Sequence, residues 1–312
     1  MTKTAVHLTE VCPRDGFQSI REWIPTDVKV KIINTLIDCG YKQIEVTSFV
    51  HPKAIPQLKD ADEVLAQIKR PPGVTFRALV PNVRGLERAI HAGVHKAKLM
   101  LSASDSHSIS NANCTTEQAL AQFEPLIERA KDSDIEIAGS ISVAFGCPYE
   151  GEVPLARLVM ICERYAAFGI EEVSLADTTG MANPTQIKET VRVLKARFPQ
   201  LIFTLHLHNT RGMAFANAVA GYEEGIRHFD SSTGGLGGCP YAPGASGNIA
   251  SEDLIHGFEA MGIPTNVSLD AVIHAGAVIQ EQLPAYIDSF ILKAGKSSDL
   301  SATPTAQVKV ES

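Results

Sequence analysis

Between residues 7 and 260 the chain alternates β-type runs with helix-type stretches eight times over, and that rhythm constrains the fold most tightly. Strand-like runs at 7–11, 43–47, 75–80, 96–101, 136–143, 172–175, 201–206 and 228–230 precede amphipathic patterns at 26–39, 60–69, 84–92, 116–132, 153–168, 184–197, 213–224 and 251–260. Thr26 is placed to cap the first helix and Gly40 to end it. Strict alternation implies a parallel sheet covered by helices, and eight units in roughly 250 residues close a (β/α)8 barrel. An open doubly wound sheet is the alternative. Against it, the loop after the first strand reads Pro13-Arg14-Asp15-Gly16, with no Gly-x-Gly-x-x-Gly turn. The expectation is one α/β TIM-barrel domain over 1–296 with a short C-terminal helical extension. A Ser-, Thr- and Lys-rich tail at 297–312 reads as disordered.

With 312 residues, 45% of them hydrophobic, the chain can bury a large core. Its net charge of −7 and the absence of Lys/Arg clusters argue against a nucleic-acid or anionic-membrane partner. The N-terminus carries neither an apolar signal core nor an Arg-rich transit pattern, and no apolar run spans a membrane. Cys12, Cys39, Cys114, Cys147, Cys162 and Cys239 are scattered without close pairs. That spacing fits neither a disulfide framework nor a four-thiolate zinc site, so a cytoplasmic location is expected. Whether the chain forms a homo-oligomer stays open.

In a barrel of this kind, reactive groups belong at the C-terminal ends of the strands. His206 and His208 end the seventh strand, and the two-residue period points both imidazoles to one side. Asp15 follows strand one and Asn248 follows strand eight, both neighbours of strand seven once the barrel closes. These four form a candidate divalent-cation site. Without a thiolate among them, Mg2+ or Mn2+ fits better than structural zinc, while Co2+ and Zn2+ stay open. Arg14, Glu45 and Asp177 also fall at strand ends. They read either as a salt-bridge network bracing the rim or as catalytic groups, with Arg14 offsetting negative charge on a substrate carbonyl. Between Gly234 and Asn248 lie six glycines and two prolines around Cys239. This stretch is either a structural turn or a loop that closes over a ligand and presents a thiol.

Five stretches carry a resemblance. They are Val11-Cys12-Pro13-Arg14-Asp15-Gly16-Phe17-Gln18, 44–50, 146–151, His206-Leu207-His208 and 234–248, and together they resemble the hydroxymethylglutaryl-CoA lyase family, to about residue 285. The resemblance implies a cation held by Asp15, His206, His208 and Asn248, with Cys239 as catalytic acid or base and catalytic roles for Arg14, Glu45 and Asp177. It implies an acyl-CoA substrate and a retro-Claisen cleavage of 3-hydroxy-3-methylglutaryl-CoA to acetyl-CoA and acetoacetate. In that reaction Arg14 offsets the enolate charge and Cys239 supplies the proton. The chain departs from the family at Phe17 (usually Leu), 19–20 (Asn-Glu), His107 (Phe), Ala138 (Arg) and 209–212 (Asp-Thr-Tyr-Gly). Phe17, His107 and Arg211 are therefore expected to read the C3 substituent, with an outward salt bridge on the following helix as an equal alternative for Arg211, and Cys147 to be merely buried. Rival readings are a lyase for a citramalyl-type acyl-CoA, a condensing synthase and a non-catalytic metal-binding barrel.

Overall fold

The computed structural model describes residues 3–237 and 247–301. Eight parallel strands close into a barrel in chain order, with the last pairing to the first. They are β1 (His7–Glu10), β2 (Gln43–Ser48), β3 (Thr75–Leu79), β4 (Lys96–Ser102), β5 (Glu136–Ser142), β6 (Glu172–Asp177), β7 (Ile202–Leu207) and β8 (His228–Ser231). The covering helices are α1 (Thr26–Asp38), α2 (Ala61–Gln67), α3 (Val83–His91), α4 (Asp105–Ala112), α5 (Thr116–Ala130), α6 (Leu155–Ala167), α7 (Pro184–Arg197), α8 (Ala214–Glu223) and α9 (Ser251–Ala260). Two more, α10 (Leu269–Gln282) and α11 (Phe290–Ala294), form the expected C-terminal extension. None of the described helices is long and apolar enough to cross a membrane.

Strand alternation divides the interior in two. On β4, Ala97, Leu99 and Leu101 join the apolar layer under the helices, while Lys98 and Met100 face the barrel's inner cavity. The apolar layer packs against Leu36 of α1, Leu120 of α5, Ile161 and Tyr165 of α6, Leu194 of α7 and Phe258 of α9, all buried. Each such burial contributes about 1.5–3 kcal/mol. At β5 the fit is close: a Cβ on Gly139 would come 2.7 Å from the Tyr165 ring, whose hydroxyl donates to Ser140 O at 3.0 Å.

Three local readings change. Thr26 is the first residue of α1, not its cap; Pro25 precedes it, and the Thr26 hydroxyl donates to Asp60 Oδ2 at 2.8 Å. The loop expected at 12–18 begins as a π-helical turn, Cys12–Gly16, because the amides of Asp15 and Gly16 both turn back to Val11 O. Helix α4 was not expected at all. Its Ser- and Asn-rich sequence has weak helical propensity, and Ser104 starts it by accepting the His107 amide at 3.3 Å. Of the tail read as disordered, residues 302–312 lie outside the described residues, while the Ser297 amide donates to His256 Nε2 at 3.2 Å.

The start of the Gly-rich stretch rests on two buried carboxyls. Glu10 of β1 accepts from the amides of Cys12 and Thr233 and from the hydroxyls of Thr233 and Ser251. Glu252 of α9 accepts the Gly234 amide on both oxygens, at 3.0 and 3.1 Å. Burial pushes the Glu252 carboxyl up to about 8. It therefore keeps its proton in the folded protein over a range where the unfolded chain has lost it, so stability declines as pH rises from about 4.5 toward 8. Glu252→Gln should remove this decline. Its melting temperature should match the parent's at pH 4.5 and exceed it by a few degrees at pH 8; a difference that does not vary with pH contradicts the assignment.

Candidate active site

At the C-terminal mouth of the barrel a cavity of about 140 Å3 is lined by Arg14, Asp15, Gln18, Lys98, Met100, His107, Asn111, Ser140, Ser142, Ala176, Thr178, His206 and His208. Strand ends and the first βα turn converge there, as barrel geometry requires.

One wall is a donor cluster. Asp15, on the π-helical turn after β1, His206, in β7, and His208, just past β7, each offer an atom within 4.8 Å of the others, and all three are buried. His206 Nε2 and His208 Nε2 lie 3.3 Å apart, with Asp15 Oδ2 3.7 Å from His206 Nε2. Two imidazole nitrogens this close, both facing a carboxylate, form a set that a divalent cation can share. The other His206 nitrogen, Nδ1, faces Asp230 Oδ2 at 3.2 Å, so that carboxylate favours the tautomer whose Nε2 lone pair points into the cluster. Burial, reinforced by the charges of His206 and Arg14, pushes His208 down to about 4, keeping it neutral and able to ligate at neutral pH. Burial alone would raise Asp15, but Arg14 and the two histidines outweigh it and hold that carboxyl well below the usual range.

Asn248 forms a bridge with His208 and reaches the same place. Its amide nitrogen donates to Asp15 Oδ2 at 2.7 Å and to Leu236 O at 2.9 Å, leaving Oδ1 as the atom ligation would use. Both ends of the Gly-rich stretch meet here. A Cβ on Gly237, where φ is +119°, would fall 2.2 Å from the Asn248 amide nitrogen, and one on Gly247 would fall 2.0 Å from Gly237 O. Only glycine fits either position. Cys239 lies outside the described residues.

Arg14 is almost fully buried, with its Nε donating to Glu45 and its Nη1 to Asp15. Burial opposes the charge, but these carboxylates and Asp230 more than compensate and raise the guanidinium's affinity for its proton. Glu45 does not line the cavity. It lies behind Arg14, where β2 shifts register against β3, and its second oxygen accepts from Lys98 at 3.0 Å. Asp177 also stands outside the wall, between lining residues Ala176 and Thr178. Its Oδ1 accepts the amides of Met181 and Ala182, while Oδ2 is buried with no partner among the described residues. Burial outweighs those amides and pushes Asp177 up to about 6.

Of the residues expected to read the C3 substituent, His107 alone lines the cavity; it sits on α4 with Nδ1 2.7 Å from Ser102 Oγ. Phe17 is wholly buried in the apolar core, because the π-helical turn carries it under the barrel rim. Arg211 is exposed and donates to the carbonyls of Thr179 and Gly180, so it braces the adjoining loop. Cys147 is more than packing. Its sulfur accepts from Ser104 Oγ at 2.9 Å and from the amides of Tyr149 and Glu150, both at 3.4 Å, tying the 147–151 turn to the start of α4. Sequence reasoning passed over Lys98 and Asp230. For Lys98 a signal was present, since it alternates on β4 with Ala97, Leu99 and Leu101, whereas the short polar run His228-Phe229-Asp230-Ser231 gave no such contrast for Asp230.

Comparisons with known proteins agree with one another. A hydroxymethylglutaryl-CoA lyase of Bacillus subtilis is 45% identical over 293 residues, covering 94% of this chain and 98% of the relative. The human mitochondrial hydroxymethylglutaryl-CoA lyase is 38% identical over 93% of this chain and 89% of its own. The structure of an HMG-CoA lyase from Acinetobacter baumannii, in complex with coenzyme A and 3-methylmalate, superposes with a TM-score of 0.92 at 42% identity, covering 96% of this chain and 98% of that one. A family model described as HMGL-like matches residues 5–279, and with relatives this similar over nearly the whole chain, the protein belongs to the HMGL-like family.

Proposed function

We propose that the chain is a divalent-cation-dependent carbon–carbon lyase that cleaves 3-hydroxy-3-methylglutaryl-CoA to acetyl-CoA and acetoacetate. The observation that carries the reading is a single cavity with a buried, doubly braced guanidinium on one side of Asp15 and two imidazole nitrogens on the other. Family membership and the names of the relatives support the acyl group. One barrel with its C-terminal helices, residues 1–296, carries the activity. The free thiols at Cys12, Cys39, Cys114, Cys147 and Cys162 fit a reducing, cytoplasmic location.

Asp15, His206, His208 and Asn248 would hold the cation, with Mg2+ or Mn2+ suited to this mixed nitrogen and oxygen set. When bound, it supplies Lewis acidity that lowers the pKa of the substrate's 3-hydroxyl. With that proton passed to solvent, breakage of C2–C3 turns C3 into the ketone of acetoacetate and leaves the electron pair on C2 as a thioester enolate; solvent later returns a proton to the thiolate left once Cys239 has protonated C2. Arg14, held at Nε and Nη1, has Nη2 to offer the enolate oxygen. Glu45 fixes the guanidinium's direction and Asp177 fixes the 177–182 turn, so both act by positioning. Cys239 then protonates C2. Its tether supports this role, since Cys239 follows by two residues Gly237, which abuts Asp15 and Asn248. The polar wall of His107, Asn111, Ser140, Ser142 and Thr178 favours a second substrate, an acyl-CoA with a carboxylate directly on C3, as in citramalyl-CoA.

Comparing kcat/KM for the two thioesters tests the substrate: acetoacetate from the first is expected, and pyruvate from citramalyl-CoA with no acetoacetate from the first would overturn it. Excess chelator should abolish turnover and Mg2+ or Mn2+ restore it, with His206→Ala and Asn248→Ala weakening cation affinity on the order of ten-fold or more. Full activity in chelator would exclude the cation. Cys239→Ser should lower kcat on the order of 10²-fold with cation binding intact, because a hydroxyl is a far weaker acid than a thiol. Cys39→Ser is the control, since its sulfur already donates to Thr35 O as a hydroxyl would. Equal loss in both variants would remove the special role of Cys239.

A further inference from the structure

Below the donor cluster, Lys98 makes a second link between two chains of contacts, those of Arg14 and of His206, which Asp15 already joins at the rim. It lies on β4, 1% exposed, with its stem along the cavity wall. Its ammonium stands 3.0 Å from Glu45 Oε2 and 3.2 Å from Asp230 Oδ2. Glu45 gives its other oxygen to Arg14, the group placed to meet the enolate. Asp230 faces His206 Nδ1 through the same Oδ2 that meets Lys98, and accepts there from Ser174 Oγ at 3.3 Å. Its Oδ1 is buried with no partner among the described residues, so the carboxylate's orientation depends on this one crowded oxygen. Glu45, Lys98, Ser174 and Asp230 come from β2, β4, β6 and β8, one side chain from each alternate strand, which is how a barrel layer is built. Here the layer is ionic where apolar branched residues usually fill it.

We propose that Lys98 is a positioning residue for the carbon–carbon cleavage: its ammonium, between Glu45 and Asp230, sets Arg14 and His206 in register with each other. The proposal rests on the retro-Claisen reading for its kinetic arm only. Two carboxylates converging on one buried ammonium repel each other once it is removed, and each then relaxes toward its remaining partner. Glu45 would keep its contact with Arg14, Asp230 its contacts with Ser174 and His206, and both the more distant charge of Arg77. Arg14 and His206 would then keep only Asp15 between them and lose the lower link, although the Lys98 ammonium is itself committed to Glu45 and Asp230. A side chain serving only to fill the barrel would not link the two.

Lys98→Met keeps the length and removes the charge; Lys98→Arg keeps the charge. Three measurements apply to each: circular dichroism for folding, Mn2+ affinity of the substrate-free protein by calorimetry, and kcat and KM for the thioester. In folded Lys98→Met, Mn2+ affinity should weaken about ten-fold and kcat fall on the order of 10²-fold, with KM changed less than about three-fold, the range seen when partners of metal ligands are lost. Lys98→Arg should recover at least half of each loss on a logarithmic scale. Wild-type values in Lys98→Met, or equal damage in both folded variants, would overturn the proposal. If Lys98→Met does not fold, Lys98→Arg decides alone: Mn2+ affinity within three-fold and kcat within ten-fold of the parent uphold it, and larger losses overturn it. A parent inactive on the thioester would sink the functional reading and leave the Mn2+ arm to judge Lys98.

Discussion

A carboxylate buried inside a barrel stays ionised only where a cation meets it, and the interior of this protein is arranged around that requirement. Asp15, Glu45 and Asp230 are all buried, and each is held below its ordinary carboxylate range. Arg14 and Lys98 supply the guanidinium and the ammonium that make this possible, and each bridges two of the three. Because each bridge fixes two side chains at once, the donor cluster and the Arg14 guanidinium share one scaffold. The helices and their apolar layer keep water out, so the charges interact at low dielectric, where their geometry is stiff.

The fold was legible because two periodicities agreed. The eight-fold alternation gave the barrel, and on β4 the sequence Lys96-Ala97-Lys98-Leu99-Met100 shows directly which side meets the helices. Helix α4 was hidden because its residues compete with the helical backbone, and it is held by contacts distant in sequence or outside the helix, among them the Ser104 cap, the 147–151 turn and the Arg157–Asp105 pair. In the site, the residues expected from strand ends came together where the chain leaves the barrel: Arg14, Asp15, His206, His208 and Asn248 meet within one cavity and its wall. Asp177 did not join them, because strand alternation turns it away between Ala176 and Thr178. Phe17 falls outside the site for a related reason, and Arg211 takes the outward of its two expected directions, on carbonyls instead of in a salt bridge. Proximity in sequence to a site residue says nothing about direction, and a π-helical turn or a loop carbonyl decides it.

The Gly-rich stretch shows a different kind of dependence. Gly237 and Gly247 tolerate no Cβ because the two ends of the stretch touch each other and the Asn248 side chain. Asn248 in turn is committed to Asp15 and Leu236. The entrance and exit of the stretch are thus fixed by the same amide that completes the donor cluster, and Glu252 and Glu10 hold its first residues from below. Glycine density here is a packing requirement at identifiable positions before it is a matter of flexibility.

The charges around the cavity, Arg14, Lys98 and Arg77 against Asp15, Glu45 and Asp230, also bear on what can enter it. A divalent ion held at the donor cluster would tip that balance to positive, and an anionic thioester would then meet an attractive field. Cation and acyl-CoA would therefore each favour the other's binding, by the same factor in either order.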